Sequence, residues 1–372
     1  MAPAADTPDV RGMRLALRES MWAVGRVHPN PPVGAVVMRG GVVVGRGHTQ
    51  PPPGPHAEVM ALRAASEAAR GSTLYVTLEP CNHHGRTPPC VDAILRAGVS
   101  RVVVAARDPH AAAAGGLERL RAAGVEAISG VCAEDAERVL APFLHWARSG
   151  RPYAVLKAAM TLDGKIASST GASRWITGPV ARAYVHRLRQ RLGAVMAGIG
   201  TALADDPLLT VRHSHSSRAV ERPPLRIVVD SRLRLPLGSR LAQSAREAPL
   251  LVACAEGADE QAMGALRAMG AEVLPVPARD GRVDPAILMQ ALGARGVTGI
   301  LVESGGELAF SLVETGAVRE ALYFVAPRLL GGRDAPTPLG GRGFATPAEG
   351  IPVSGLVARR CGADILLRGE LT

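Results

Sequence analysis

The sequence predicts two α/β domains in series, and three observations carry that reading. Its 372 residues with 47% apolar content exceed what one hydrophobic core ordinarily serves. Short apolar runs alternate with stretches of helical periodicity along the chain. A Gly-Pro break at SGRPY, residues 149–153, interrupts the alternation, which puts the expected domains at 1–149 and 150–372.

The elements follow in order. A helix is expected near 11–25, then strands VGAVVMR and GVVVGRG, a helix from Pro55 to about Arg70, and the strand TLYVTLEP. Helix PPCVDAILRAG, strand RVVVAAR, helix GLERLRAAG and a helix from about 134 to 148 complete the first half. Beyond the break come strand YAVLKAAMT, helix PVARAYVHRLRQRL and strand AVMAGIG, followed by strands PLRIVVDS, LLVACAE, GILVES and ALYFVAP. No fixed-period repeat is visible, and RHSHSSRAVERPP, 212–224, reads as an exposed loop.

Composition narrows the function classes. The net charge of +10 is spread along the chain, with 16 Arg against 13 acids up to Gly150. No basic run of five or more stands out, which argues against a dedicated nucleic-acid surface and fits anionic small substrates at least as well. An editing or RNA-binding protein would also want exposed aromatics for stacking, and aromatic content is only 3%. The N-terminus has no signal-like apolar run and no stretch of 18 apolar residues is present, so a cytoplasmic protein without membrane partners is expected. Five cysteines, at 81, 90, 132, 254 and 361, do not form a disulfide framework in a chain this long. The basic residues are nearly all arginine. Only Lys157 and Lys165 are lysine, both within VLKAAMTLDGKIA, so each is either a retained ammonium with a purpose or a leftover surface residue.

The densest chemistry lies in PHAEVMAL and EPCNHHGRTPPC. Pro55 takes the favoured first helical position, so His56 and Glu58 fall in an opening turn and reach a site beyond the helix end. Cys81 follows a strand, and Cys90 starts another helix behind Pro88 and Pro89. His56, Cys81 and Cys90 can therefore converge between two helix N-termini, whose partial positive charge favours thiolates and so zinc. Three protein ligands leave one tetrahedral position for water, and Glu58 is free to move its proton. The pattern H-x-E, then P-C and a second Cys, is the zinc deaminase signature, here with eight residues between the cysteines. A closed structural zinc using His83 or His84, or a Cys81–Cys90 disulfide, are the competing readings of these residues alone.

The second half has no G-x-G-x-x-G after a strand, which argues against a standard Rossmann domain. Two glycine junctions do join strand to helix, at Gly198 and Gly200 before Thr201 and at Gly305 and Gly306, as a dinucleotide site requires. In PVARAYVHRLRQRL, Val185, Leu188 and Leu192 form a core stripe, while Arg182, His186 and Arg189 share another face, solvated or functional. ADDPLLTVR supplies Asp205, Leu209 and Arg212, with Pro207 expected to hold Asp206 extended.

Taken together, HPNPPVGAVV, GRGHTQ, PHAEVMAL and TLEPCNHHGRTPPC resemble the bifunctional deaminase/reductase family of riboflavin biosynthesis, as do KAAMTLDGKIA, SRWITG, GIGTALADDPLLTVR, RIVVDS, LVESGG and VAPRLLGG. The resemblance covers nearly the whole chain. It implies a cytidine-deaminase-like α/β/α sandwich followed by a dihydrofolate-reductase-like α/β domain. By resemblance, the first domain hydrolyses the 2-amino group of 2,5-diamino-6-ribosylamino-4(3H)-pyrimidinone 5′-phosphate, with Zn2+ on His56, Cys81 and Cys90 and Glu58 as proton shuttle. Asn30, His48 and Arg86 match substrate positions. The second domain would then reduce the ribosyl chain to ribityl with NADPH. Ala159, Trp175, Thr201, Asp205, Ser231, Gly305 and Gly306 match cofactor positions, and Ser173, Arg189, Leu209, Arg212 and Glu303 match substrate positions, with Lys157 near the same pocket. The implied partner is the small pyrimidine ribotide, with no nucleic acid and with a homo-oligomer as the expected assembly. Departures from the family pattern are His110 for an Asn, Asn82 for a Ser, Ser304 for a Gly and Gly193 for an Asp. If Ser304 spoils the cofactor loop, the second domain is instead a non-catalytic scaffold.

Overall fold

The computed structural model describes residues 7–85, 88–110, 114–212 and 222–371, which divide between two compact units, Met1–Gly150 and Arg151–Thr372. In the first unit the elements run α1 (Pro8–Ser20), β1 (Gly34–Arg39), β2 (Val42–His48), α2 (Ala57–Ala65), β3 (Thr73–Leu78), α3 (Cys90–Ala97), β4 (Arg101–Ala106), α4 (Gly116–Ala122), β5 (Glu126–Ser129) and α5 (Ala133–Ser149). The sheet order is β2-β1-β3-β4-β5, with β1 antiparallel to β2 and β3 and the last three strands parallel.

Two glycines show how helices reach both faces of this sheet. A Cβ on Gly34 would lie 2.0 Å from the Ala16 carbonyl of α1, and one on Gly47 would lie 2.5 Å from the Ala57 carbonyl of α2. Gly34 pairs with His48 and Ala35 with Gly47, so the two glycines are one register step apart and face opposite ways. Only a residue without a side chain lets a helix backbone approach a strand this closely. The core between the layers is Val- and Ala-rich, with Val36, Val76, Val102 and Val104 fully buried.

α2 starts later than the expected Pro55. The Pro55 carbonyl accepts from Gln50 N–H, and the first helical bond runs from Met60 N–H to the His56 carbonyl. His56 is therefore the N-cap, and Glu58 the second residue of the helix.

The second unit runs β6 (Tyr153–Thr161), α6 (Pro179–Leu192), β7 (Ala194–Gly198), α7 (Ile199–Asp205), β8 (Leu225–Val229), α8 (Arg240–Gln243), β9 (Leu250–Ala255), α9 (Glu260–Ala268), β10 (Glu272–Val276), the short pair β11 (Ala278–Arg279) and β12 (Arg282–Val283), α10 (Pro285–Ala294), β13 (Gly299–Val302), α11 (Gly306–Glu314), β14 (Val318–Ala326), β15 (Val353–Cys361) and β16 (Asp364–Leu371). Among the described residues, nine strands form one sheet, ordered β10-β9-β8-β7-β13-β6-β14-β16-β15, parallel from β10 to β14 and antiparallel through β16 and β15. The parallel strands are buried on both faces, which is why they read as unbroken apolar runs: Met196 and Ile227 pack in one cluster, Val195 and Val228 in another.

β7 and β13 are parallel neighbours whose following helices leave in opposite directions, α7 toward β8 and α11 toward β14 across β6. Ligands in open α/β sheets bind in the crevice at such a reversal. Two expectations change here. Asp206 is left-handed at φ 38°, because its N–H closes α7 by donating to the Ala202 carbonyl, so Pro207 does not hold it extended. The C-terminal hairpin of β15 and β16 was not foreseen, since β15 is exposed along nearly its whole length and lacks the alternation of a half-buried strand. Most of the expected 212–224 loop lies outside the described residues.

Candidate functional site

A cavity of about 340 Å3 in the first unit is lined by Asn30, His56, Glu58, Cys81, His83, His110 and Trp146, among others. His56 enters from the cap of α2, Cys81 from the loop after β3, and Cys90 from the first residue of α3. Their ligand atoms all lie within 4.8 Å of one another. His56 Nδ1 is 3.3 Å from Cys90 Sγ and 3.6 Å from Cys81 Sγ. A tetrahedral zinc with ordinary Zn–S and Zn–N lengths separates N from S by about 3.6 Å. The donor set and its spacing fit that ion.

Cys81 is held in place from three sides. The Cys90 N–H donates to its Sγ at 3.4 Å, an α-helix N-terminus aimed at a thiolate. Glu79, two residues before it, is buried and accepts from Leu117 N–H at 3.2 Å and Asp108 N–H at 3.4 Å. Gly116 sits so close beneath Pro80 that a Cβ there would meet the Pro80 carbonyl at 2.0 Å. The Cys81 thiol is pushed down by its hydrogen bond with Cys90 and, against the opposing effect of burial, by His56. Glu58 is buried, and loss of solvation, reinforced by the Cys81 charge, lifts its carboxyl to about 7. A carboxyl poised there can accept and return a proton near neutral pH.

Not every expected residue joins this cavity. Asn30 lines it, but His48 does not; its Nδ1 lies 4.0 Å from Glu19 Oε2. Arg86 lies outside the described residues. Phe143 and Trp146 line the cavity and were missed by the sequence reading. Their i, i+3 spacing on α5 marks one helix face, but nothing local says that this face meets a site.

A larger cavity, about 1570 Å3, lies in the second unit. It brings together Lys157, Ala159, Ser173, Trp175, Arg189, Thr201, Asp205, Leu209, Arg212, Ser231, Glu303, Gly305 and Gly306. The polar face of α6 turns inward rather than to solvent, since Arg182 and His186 line the same space. Gly198 and Gly305 are the N-caps of α7 and α11, and Gly305 N–H donates to Thr201 Oγ1 at 3.0 Å, joining the two glycine junctions. Glu303 receives Arg189 Nε at 2.6 Å and Nη2 at 3.1 Å, with Lys157 Nζ 3.6 Å away. Burial pushes the Glu303 carboxyl up, but the Arg189 and Lys157 charges outweigh it and hold it down at about 2. Ser173 donates to Asp205 Oδ1 at 2.8 Å, and Arg182 lies 4.5 Å over the Trp175 ring. Lys165 is not a loose surface residue either, because its Nζ donates to the Ala335 carbonyl at 3.1 Å. Among the described residues, the buried Ser304 hydroxyl has no hydrogen-bond partner.

Comparison with known proteins follows the same division. The family model "Cytidine and deoxycytidylate deaminase zinc-binding region" matches residues 6–106, and "RibD C-terminal domain" matches 152–367. The riboflavin biosynthesis protein RibD of Actinobacillus pleuropneumoniae is 40% identical over 360 residues, 96% of this chain and 94% of that protein. The chain belongs to the RibD family. The RibD of Escherichia coli is 42% identical over 86% of this chain and 87% of its own. Among solved structures, RibD of Acinetobacter baumannii in its form 1 superposes with a TM-score of 0.88 at 35% identity, covering 98% and 99% of the two chains. A Thermotoga maritima structure titled as a diaminohydroxyphosphoribosylaminopyrimidine deaminase/5-amino-6-(5-phosphoribosylamino)uracil reductase gives 0.83 at 31%, covering 98% and 99%. Like other RibD proteins, this chain is a bifunctional enzyme of riboflavin biosynthesis, with a cytidine-deaminase-like zinc domain and a dihydrofolate-reductase-like reductase domain. As a RibD reductase it uses a nicotinamide cofactor and acts on a small molecule. Among the described residues, no helix is long and apolar enough to cross a membrane.

Proposed function

We propose that the first unit hydrolyses the 2-amino group of 2,5-diamino-6-ribosylamino-4(3H)-pyrimidinone 5′-phosphate, and that the second reduces the resulting ribosyl compound to 5-amino-6-ribitylaminouracil 5′-phosphate with NADPH. The observation that carries the first step is the shared cavity of Glu58 with His56 and Cys81. His56, Cys81 and Cys90 are the zinc ligands in this reading. When bound there, zinc supplies the Lewis acidity that makes water a nucleophile at neutral pH. Glu58 would take a proton from the attacking water and return it to the departing ammonia, while Asn30 would orient the substrate. His48 and Arg86 are retained as substrate contacts on family likeness alone.

In the second unit the cofactor carries the hydride and the protein positions both partners. Thr201, Gly305 and Gly306 would hold the cofactor phosphates, and Ala159, Trp175, Asp205 and Ser231, which line the same cavity, would hold the rest of it. Arg189 and Glu303, locked to each other, present Arg212, Leu209, Ser173 and Lys157 with a fixed substrate floor. The sugar phosphate is anionic, and forked arginines suit it. The reading also takes the enzyme to be cytoplasmic and homo-oligomeric, with the two activities dividing near 149/150.

The test is one incubation of zinc-loaded protein with the diaminopyrimidinone ribotide and NADPH, following ammonia and nicotinamide absorbance together. Ammonia release followed by substrate-dependent NADPH oxidation is the expected result. Ammonia without oxidation would overturn the second assignment; no ammonia would overturn the first, and the second is then decided by NADPH oxidation with the deaminated ribosyl compound.

A further inference from the structure

We infer that His110 and Trp146 form a stacking wall of the deaminase cavity against which the substrate's planar pyrimidine ring is held. This rests on the deaminase reading above and adds to it one stacking face, built from two rings packed on each other. Only 3% of the chain is aromatic, yet Phe143 and Trp146 of α5 line this one cavity together with the His110 ring. The His110 and Trp146 rings are stacked, centroids 6.2 Å apart and planes 22° from parallel. Phe143 supports Trp146 from another side, at 6.0 Å and 46°.

The pair is held from the backbone as well. His110 N–H donates to Asp108 Oδ1 at 2.9 Å, and the His110 carbonyl accepts from Ala114 N–H at 3.1 Å. Asp108 N–H in turn donates to Glu79, whose chain leads directly into Cys81, so wall and ligand loop share one buried carboxylate. Pro29, Pro31, Pro52 and Pro53 add stiff apolar lining to the same cavity. A narrow space with stacked rings at one side and a polar metal-ligand cluster in its lining fits a flat heteroaromatic ring bearing a hydrolysable amine. Stacking tolerates any π-face, so its contribution is to affinity, whereas the proton chemistry belongs to Glu58. His110 thus contributes a ring to this wall, packed on Trp146.

The test measures steady-state ammonia release from the diaminopyrimidinone ribotide by zinc-loaded Trp146→Leu, His110→Ala and Trp146→Phe. The first two are expected to raise KM about tenfold with kcat within threefold, zinc content at the wild-type level and reductase turnover unchanged; Trp146→Phe, which keeps a ring, is expected within threefold of wild-type KM. A KM rise below threefold in both ring-removing variants overturns the inference. So does a loss confined to kcat or accompanied by zinc loss, which would make the wall a structural support. Should Trp146→Leu fail to fold, the KM of His110→Ala decides by the same thresholds. Wild-type protein that releases no ammonia would instead overturn the deaminase reading itself, and the inference with it.

Discussion

Arg189 of α6 clasps Glu303, the residue after β13, through two hydrogen bonds of 2.6 and 3.1 Å, with the Lys157 ammonium 3.6 Å from the same carboxylate. Both partners of the clasp are mostly buried. Three charges in such a place stabilise only as a set, because removing one leaves the others desolvated and uncompensated.

Glu303→Gln is therefore expected to lower the stability of the second unit by about 3 kcal/mol and to abolish reduction while leaving ammonia release intact. Urea unfolding of the purified variant, with both activities assayed beside it, checks this. An unchanged unfolding midpoint would show that the clasp is not the support described.

Acid sensitivity follows from His186, which faces Arg189, Arg212 and Glu303. Burial, and then the Arg189 and Arg212 charges, push its pKa down to about 4 against the opposing pull of Glu303. Below about 6.5 the unfolded chain takes up a proton that the folded chain refuses, so stability falls from pH 6.5 toward 4. Glu303 acts lower: its stabilisation is complete above about 4.5 and is lost as pH falls through 2. Unfolding midpoints of the second unit at pH 7.5, 6.0 and 5.0 should decline in wild type and decline less in His186→Gln. Parallel pH profiles would remove His186 as the cause.

Glu58→Gln should keep zinc at the wild-type level, since the three ligands are untouched, yet slow ammonia release at least about 100-fold. Stripping zinc with a chelator should abolish ammonia release and spare NADPH oxidation with the deaminated intermediate. Ammonia release within tenfold of wild type in Glu58→Gln would refute the shuttle role.

Thr201→Val deletes the acceptor for Gly305 N–H while keeping the side-chain shape. The two glycine junctions then lose their tie, and the KM for NADPH should rise about tenfold with ammonia release unchanged, in line with leaving a part-buried donor unpaired. A nicotinamide KM within twofold of wild type would separate this bond from cofactor binding.

Much of this protein was legible in one dimension. YAVLKAAMT and PVARAYVHRLRQRL became β6 and α6 with the expected ends, because periodicity and the bounding Gly and Pro residues are local properties. His56, Cys81 and Cys90 were legible for the same reason: helix starts and a strand end fix where short side chains point. The start of α2 was not, because the Pro55 carbonyl is drawn off by Gln50, a loop contact with no periodic trace. The β15–β16 hairpin was missed because its outer strand buries almost nothing and so carries no hydrophobic pattern.

The sequence by itself determined the strands and helices that carry a strong period, the two-domain division of chemistry and the convergence of His56, Cys81 and Cys90, since each depends on spacing along the chain. Tertiary structure alone decided that the polar face of α6 lines a cavity and that Arg189 meets Glu303. It also decided that His48 stands apart from the first cavity while His110 and Trp146 meet within it. Those pairings are set by strand order in the sheets and by which helix faces are covered, and no local period encodes a contact between segments brought together only when the sheet closes over its core.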